Sequence, residues 1–173
     1  MLRSMTPISI RPADAGDAAA IAAIYDEGIA SGVATFARGP HDPAERRAWL
    51  AARPERAPVF VADEGGAAIA WSALAPLSHR AWYDGVAEYT VYVANASRGR
   101  GVGATMLAHL IQEAPTHGYY KLVGHILAGN AAGLRLAEDA GFRVVGVHHA
   151  HSRVDGEWRD VTVVERHLEW AHP

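Results

Sequence analysis

The chain is 173 residues long, half of them apolar and a fifth charged, with a net charge of −3 and no cysteine. That length suits one domain, expected over residues 1–173 with an ordered core from about 6 to 170, and needs no staples. The near-neutral charge speaks against nucleic acid as a partner, and the missing cysteine excludes disulfides, thiolate metal sites and a cysteine nucleophile, in keeping with a reducing, cytoplasmic setting.

Every long apolar window is broken by Gly, Asp or Arg, so neither a signal peptide nor a membrane span is expected. Met5, soon after Met1, hints at an alternative start. Residues 8–10 alternate and predict a first strand. Asp14 and Asp17 precede an alanine-rich helix from residue 18, both placed to serve its amino end. A loop over residues 31–41 holds Phe36 and Arg38. A second helix starts at Asp42-Pro43-Ala44-Glu45, with an acceptor at the cap, Pro at the first position and Glu three residues after the cap. It stops before Pro54. Residues 58–63 and 67–74 read as a hairpin around Gly65-Gly66. The stretch 77–84 mixes polar and aromatic residues, and residues 88–93 are β-branched and aromatic, which suits a strand. A helix to about residue 114 carries apolar side chains at 102, 106, 107, 110, 111 and 114, one helix face. A strand over 121–127 follows, then a helix over 131–140 capped by Asn130 and stopped at Gly141, then two strands about Asp155-Gly156. This order predicts an α/β protein with a central mixed sheet and helices on both faces.

Between strand and helix, residues 98–103 read Arg-Gly-Arg-Gly-Val-Gly. The first turn of a helix leaves backbone N–H groups without partners, and the helix dipole adds positive charge there. Glycines admit a phosphate without an intervening Cβ and tolerate positive φ. On spacing alone the loop is an anion cradle or a tight turn. A kinase-type phosphate loop would continue with Lys-Ser/Thr, where this chain has Ala104-Thr105. A dinucleotide fingerprint can be laid on Gly99, Gly101 and Ala104, but it wants an acid about 20 positions on, and residues 121–127 carry none. The third pattern, Arg/Gln-x-x-Gly-x-Gly/Ala, is met by Arg98, Gly101 and Gly103.

That third pattern resembles the pyrophosphate-binding motif of the GCN5-related N-acetyltransferases, and the element order agrees with their fold. Four further pieces narrow the likeness: residues 80–83 (Arg-Ala-Trp-Tyr), 87–93 (Ala-Glu-Tyr-Thr-Val-Tyr-Val), Asn130 with 134–136 and 140–142, and 156–160 (Gly-Glu-Trp-Arg-Asp). Together they are similar to the phosphinothricin and methionine sulfone/sulfoximine N-acetyltransferase branch, over nearly the whole chain.

The resemblance implies acetyl-CoA as co-substrate, no metal, a small-molecule amine as acceptor and a homodimer. It implies Glu88 as general base, its bland alternative being a solvated acid at a strand end. Val91, Tyr92 and Val93 fall beside the thioester, and Arg98, Gly99, Arg100, Gly101, Val102, Gly103 and Ala104 around the pyrophosphate. Asn130 falls on the pantetheine arm, a role compatible with capping. Arg80 falls on the acceptor carboxylate, with Tyr83 beside it. Phe36 and Arg38 fall in a loop that closes over the substrate, although Phe36 could equally pack under that loop and Arg38 be solvated. Without cysteine, direct transfer in a ternary complex is favoured over an acyl-enzyme.

One position departs from the pattern. Relatives carry a Tyr or His seven residues after the Asn, as proposed proton donor to the thiolate; this chain has Ala137. Water, Tyr119, Tyr120 or no donor at all are the alternatives. The gap also motivates a rival reading, a catalytically weak acyl-CoA sensor, while a polyamine, aminoglycoside or peptide amino terminus would be rival acceptors. Of His148, His149 and His151, strand alternation puts 149 and 151 on one face and 148 on the other, with no nearby carboxylate to complete a metal set. Trp158 is expected to pack in the sheet or a subunit interface, and Asp160 to fix the last hairpin.

Overall fold

The computed structural model describes residues 7–168; the expected core limits of 6 and 170, and Met5, lie outside the described residues. The chain runs β1 (Ile8–Pro12), α1 (Ala18–Ala30), α2 (Pro43–Ala51), β2 (Val59–Glu64), β3 (Ala67–Pro76), β4 (Val86–Val93), α3 (Val102–Glu113), β5 (Lys121–Leu127), α4 (Ala131–Asp139), β6 (Arg143–Val154) and β7 (Glu157–His167). The strands form one sheet ordered β1-β2-β3-β4-β5-β7-β6. Among the described residues only β4 and β5 pair in parallel. This is the mixed sheet with helices on both faces that the element order predicts.

Period-two alternation divides the strand residues between two cores. Phe60, Ala62, Ala70, Leu74, Ala87, Leu122 and Ile126 pack with Val102, Met106, Leu107 and Leu110 of α3 and Ala137 of α4. Their sequence neighbours Val59, Val61, Trp71 and Ala73 face the other way and pack with Ile21 and Ile24 of α1. Trp49 and Leu50 of α2, Tyr25 and Tyr92 close that second core. By the same parity Glu88 of β4 and His125 of β5 lie on the α1/α2 face with Trp71 and Tyr92, whereas Tyr89, Val91 and Val93 join the α3/α4 face.

The two acids before α1 divide their work differently from the expectation. Asp14 caps a single 3₁₀ turn over Ala15–Asp17, accepting from Gly16 N. The Asp17 carboxylate makes no cap bond to α1. It pairs with Arg11 Nη1 at 2.8 Å, while Arg11 Nη2 reaches Asp63 at 3.0 Å, so one guanidinium ties β1, the entry to α1 and β2 together. The Asp17 carboxylate also reaches back to accept from Asp14 N at 2.9 Å, closing a capping box on the 3₁₀ turn instead of capping α1. The α2 start is as predicted, with the Asp42 side chain accepting from Ala44 N and Pro43 in the first turn.

The last hairpin turns on Asp155 and Gly156, both at positive φ, as a two-residue connection requires. Along it the simple alternation of the histidines fails. The β6–β7 register shifts between His148 and Ser152, and Ala150 adopts φ 48°. The extra residues rotate the chain, so His148 and His151 stack at 4.4 Å, and the expected pairing of 149 with 151 is corrected. His149 Nδ1 lies 3.0 Å from Asp160, a carboxylate the sequence reading did not bring near, and Asp160 also accepts from Ala150 N. Asp160 therefore holds the bulge. Among the described residues no group of three or more His, Asp or Glu side chains could hold a metal ion.

Candidate active site

The sheet opens at one place. β4 and β5 pair only through Val86↔Lys121, Ala87↔Leu122 and Glu88↔Val123, although both strands continue for several residues. Past Glu88 the β5 side of β4 has no strand partner, and a cleft of about 370 Å³ enters there, lined by residues 88–92 and by Gly124, His125 and Ile126. A gap between parallel strands leaves peptide groups unpaired, which a ligand can satisfy. Gly124 is needed at this wall, because a Cβ there would stand 2.5 Å from the Tyr89 ring.

At the point of divergence Glu88 Oε1 lies 2.8 Å from His125 Nδ1. The second oxygen, Oε2, has no partner among the described residues. The Glu88 carboxylate raises the His125 pKa by accepting its hydrogen bond, and partial burial of the ring opposes the rise. A carboxylate on one ring nitrogen fixes the tautomer and orientation of the imidazole. Further along the α1/α2 side the cleft is walled by Tyr25, Trp49 and Trp71, with Arg46 and Arg53 among them and Phe36 on the loop before α2. That loop is pinned by Tyr25 Oη to Thr35 Oγ1 at 3.1 Å and by the Tyr92 hydroxyl donating to the Ala34 carbonyl.

A second cleft runs from the same opening to the amino end of α3 and is lined by Val91, Tyr92, Val93, Arg98, Gly99, Gly101, Val102, Gly103 and Ala104. The two are continuous, since Ala34, Val91, Tyr92, Asn130, Gly133 and Leu136 line both. Gly101 stands at the α3 cap with φ 79°, and no side chain caps the helix. A Cβ built on Gly99 or Gly101 would meet nothing within 4 Å, so these backbones face open space. The first amides of α3 therefore point at the groove uncapped, as an anion site requires. Asn130 caps α4, its side chain accepting from Gly133 N at 2.9 Å.

Most of the expected site residues gather on these two clefts; Arg100, Arg38, Arg80 and Tyr83 line neither. Arg100 is held by Glu64 through both Nη groups, at 2.5 and 3.1 Å. Arg98 donates to the Val93 carbonyl at 3.2 Å and stays at the groove. Arg38 is exposed, 3.9 Å from Asp155. Arg80 precedes a 3₁₀ turn over Ala81–Tyr83 and lies over Trp82. Ala137 is fully buried in the core. Tyr119, also buried, donates its hydroxyl to the Arg56 carbonyl, and neither it nor Tyr120 lines either cleft. The sequence reading missed His125, whose register with Glu88 only the parallel pairing reveals. It also missed Arg46 and Trp49, though their three-residue spacing on α2 places them on one helix face.

The acetyltransferase (GNAT) family model matches residues 21–142. The chain is 32% identical over 163 residues to the L-methionine sulfoximine/L-methionine sulfone acetyltransferase of Pseudomonas paraeruginosa, covering 93% of this chain and 95% of that one. It is 31% identical over 167 residues to the phosphinothricin N-acetyltransferase of Streptomyces viridochromogenes, covering 96% and 91%. Among solved structures it superposes with a TM-score of 0.86 on a GNAT superfamily phosphinothricin acetyltransferase from Sinorhizobium meliloti in complex with AcCoA, at 28% identity, covering 95% of this chain and 89% of that one. With the opened sheet and the uncapped α3 end, this match places the chain in the acetyltransferase (GNAT) family, whose acyl donor is acetyl-CoA.

Proposed function

We propose that the protein acetylates the α-amino group of a small amino acid analogue, such as phosphinothricin, methionine sulfoximine or methionine sulfone, by direct transfer from acetyl-CoA in a ternary complex. The observation that carries this reading is Glu88 at the mouth of the gap between β4 and β5, where the two clefts meet. The groove at α3 suits the pyrophosphate, with the amides of residues 102–104 and Arg98 as its donors. Arg100 would add charge from the rim, held there by Glu64. Asn130 and residues 91–93 lie along the path of the pantetheine arm.

An amine attacks a carbonyl carbon only with its lone pair free, so the acceptor ammonium must first lose a proton. Glu88 takes that proton through Oε2, directly or by one water, while His125 holds Oε1. Nitrogen then bonds to the acyl carbon, and an unpaired peptide N–H on the β5 side of β4 donates to the oxygen that gains charge. The nitrogen sheds its remaining extra proton to water as the adduct collapses, the C–S bond breaks, and the thiolate takes a proton from solvent. No side chain need supply it, because a thiolate is a good leaving group. Acetylation removes the charge of the α-ammonium, the chemistry by which such an enzyme would disarm an amino acid antibiotic or herbicide. Among the described residues no helix is long and apolar enough to cross a membrane. We place the enzyme in the cytoplasm, as a single domain over residues 1–173 that works as a homodimer.

The test is thiol release with a panel of phosphinothricin, methionine sulfoximine, methionine sulfone, a polyamine and a peptide amine. Turnover is expected with the amino acid analogues; turnover confined to the last two would remove the substrate claim. Glu88→Gln should lower kcat by about 10²–10⁴-fold at neutral pH with little change in acetyl-CoA binding. A catalytically idle sensor would instead bind acetyl-CoA and leave this variant indistinguishable from the parent.

A further inference from the structure

Two arginines are packed into the wall of the acceptor cleft, and the protein treats them oppositely. Arg53 is consumed: its Nε donates to the Ala57 carbonyl at 2.7 Å and its Nη2 to the Leu74 carbonyl. Arg46 is 9% exposed, and its buried Nε has no hydrogen-bond partner. Neither Nη of Arg46 makes a hydrogen bond or ion pair among the described residues. Its neighbours are rings: the guanidinium carbon lies 4.7 Å from the Trp49 centroid, 5.1 Å from Tyr25 and 5.9 Å from Trp71. Asp26, an acid whose charge Arg46 feels, spends both oxygens on the backbone and ring of His41.

Aromatic faces favour a cation but give it no acceptor atom, and a buried cation without one is costly. Burial accordingly pulls the Arg46 pKa down. A planar guanidinium fixed between rings, lining a cleft with its Nη groups unspent, is preorganised for a two-oxygen anion. The same cleft holds the Glu88–His125 pair at its other end. We propose that Arg46, boxed by Tyr25, Trp49 and Trp71, binds the carboxylate of the acceptor and so selects amines that carry one. This inference rests on the amino acid reading above and gives to Arg46 the role that the resemblance gave to Arg80.

The experiment compares methionine sulfone with its carboxamide, which keeps the amine and side chain and removes the anion. The native enzyme should prefer the carboxylate in kcat/KM. Arg46→Met should raise KM for methionine sulfone on the order of 10²-fold, and leave the carboxamide and the KM for acetyl-CoA within about threefold. Arg46→Lys should retain part of the preference, and added guanidinium should restore part of it to Arg46→Ala. Thermal melts and acetyl-CoA titration establish that each variant is folded. A folded Arg46→Met enzyme with an unchanged carboxylate-over-amide ratio overturns the role of Arg46 and leaves the substrate class standing. A native enzyme that acetylates the carboxamide, or amines lacking any carboxylate, but not methionine sulfone, overturns both.

Discussion

His125 Nδ1 and Glu88 Oε1 lie 2.8 Å apart, close enough for the carboxylate to bias the protonation of the ring. The carboxylate raises the imidazole above its usual 6.5, against the opposing effect of burial. Below that raised value the imidazolium sits on Oε1 and draws charge from the base. As pH rises through it, His125 becomes neutral and no longer places a cation on the carboxylate that receives the acceptor's proton. The rate with a carboxylate acceptor should therefore climb along a limb centred above 6.5. Folding responds with the opposite sign: a raised pKa adds stability below 6.5, and the gain is lost as pH rises through the folded value. His125→Gln retains a hydrogen-bond donor toward Oε1 but cannot titrate, so in kcat/KM measured from about pH 5.5 to 9 the limb due to His125 should disappear. A limb indifferent to this substitution would belong to some other group.

The amino end of α3 shows most cleanly what an element owes to its sequence. Gly101 holds φ 79°, where an L side chain is strained, whereas Gly103 lies within the helix and a Cβ there would make only ordinary contact with Leu136 and Val93 at 3.6 Å. Gly101→Ala should cost about 1–2 kcal/mol, or a few degrees in Tm, and weaken acetyl-CoA binding through the displaced loop. Gly103→Ala should leave Tm unchanged or slightly raised, since Ala favours a helix interior over Gly. Circular dichroism melts of the two variants decide, and equal losses would show that the loop is not specified by φ. This junction was legible because glycine positions, helix periodicity and strand composition are local. So were the Asp42 and Asn130 caps and the Asp155-Gly156 turn. The Glu88–His125 pair was hidden because it depends on which strands meet and in what register, and the Arg46 box because it draws on three separate elements. The histidine alternation misled for a related reason: a bulge is set by the partner strand and by Asp160, not by the run itself.

At the scale of the molecule, β1 and β6 are the edge strands among the described residues, and the β6 edge is apolar. β6 ends the strand order, so its outer side offers unpaired peptide groups, and Val144, Val145 and Val147 are 42%, 50% and 47% exposed. Trp158, expected in the sheet or an interface, is 64% exposed on β7, with Arg153 over its ring. A long apolar edge invites pairing with another strand unless charge or a bulge blunts it. The β6–β7 register shifts once at Val145, between Val144 and Gly146, and again between His148 and Ser152, yet the three valines stay exposed. A second copy meeting this edge would cover them and satisfy the free peptide groups at once, which supports the homodimer proposed above. Val145→Lys sets a charge in that contact and, if β6 is the interface, should convert a dimer to a monomer in sedimentation velocity at micromolar concentration. Because Val145 is half exposed in the single chain, the lone subunit should lose little stability, within about 0.5 kcal/mol for a surface change. A native chain that sediments as a monomer would refute the dimer. A variant that stays dimeric with native Tm would move the interface to another face.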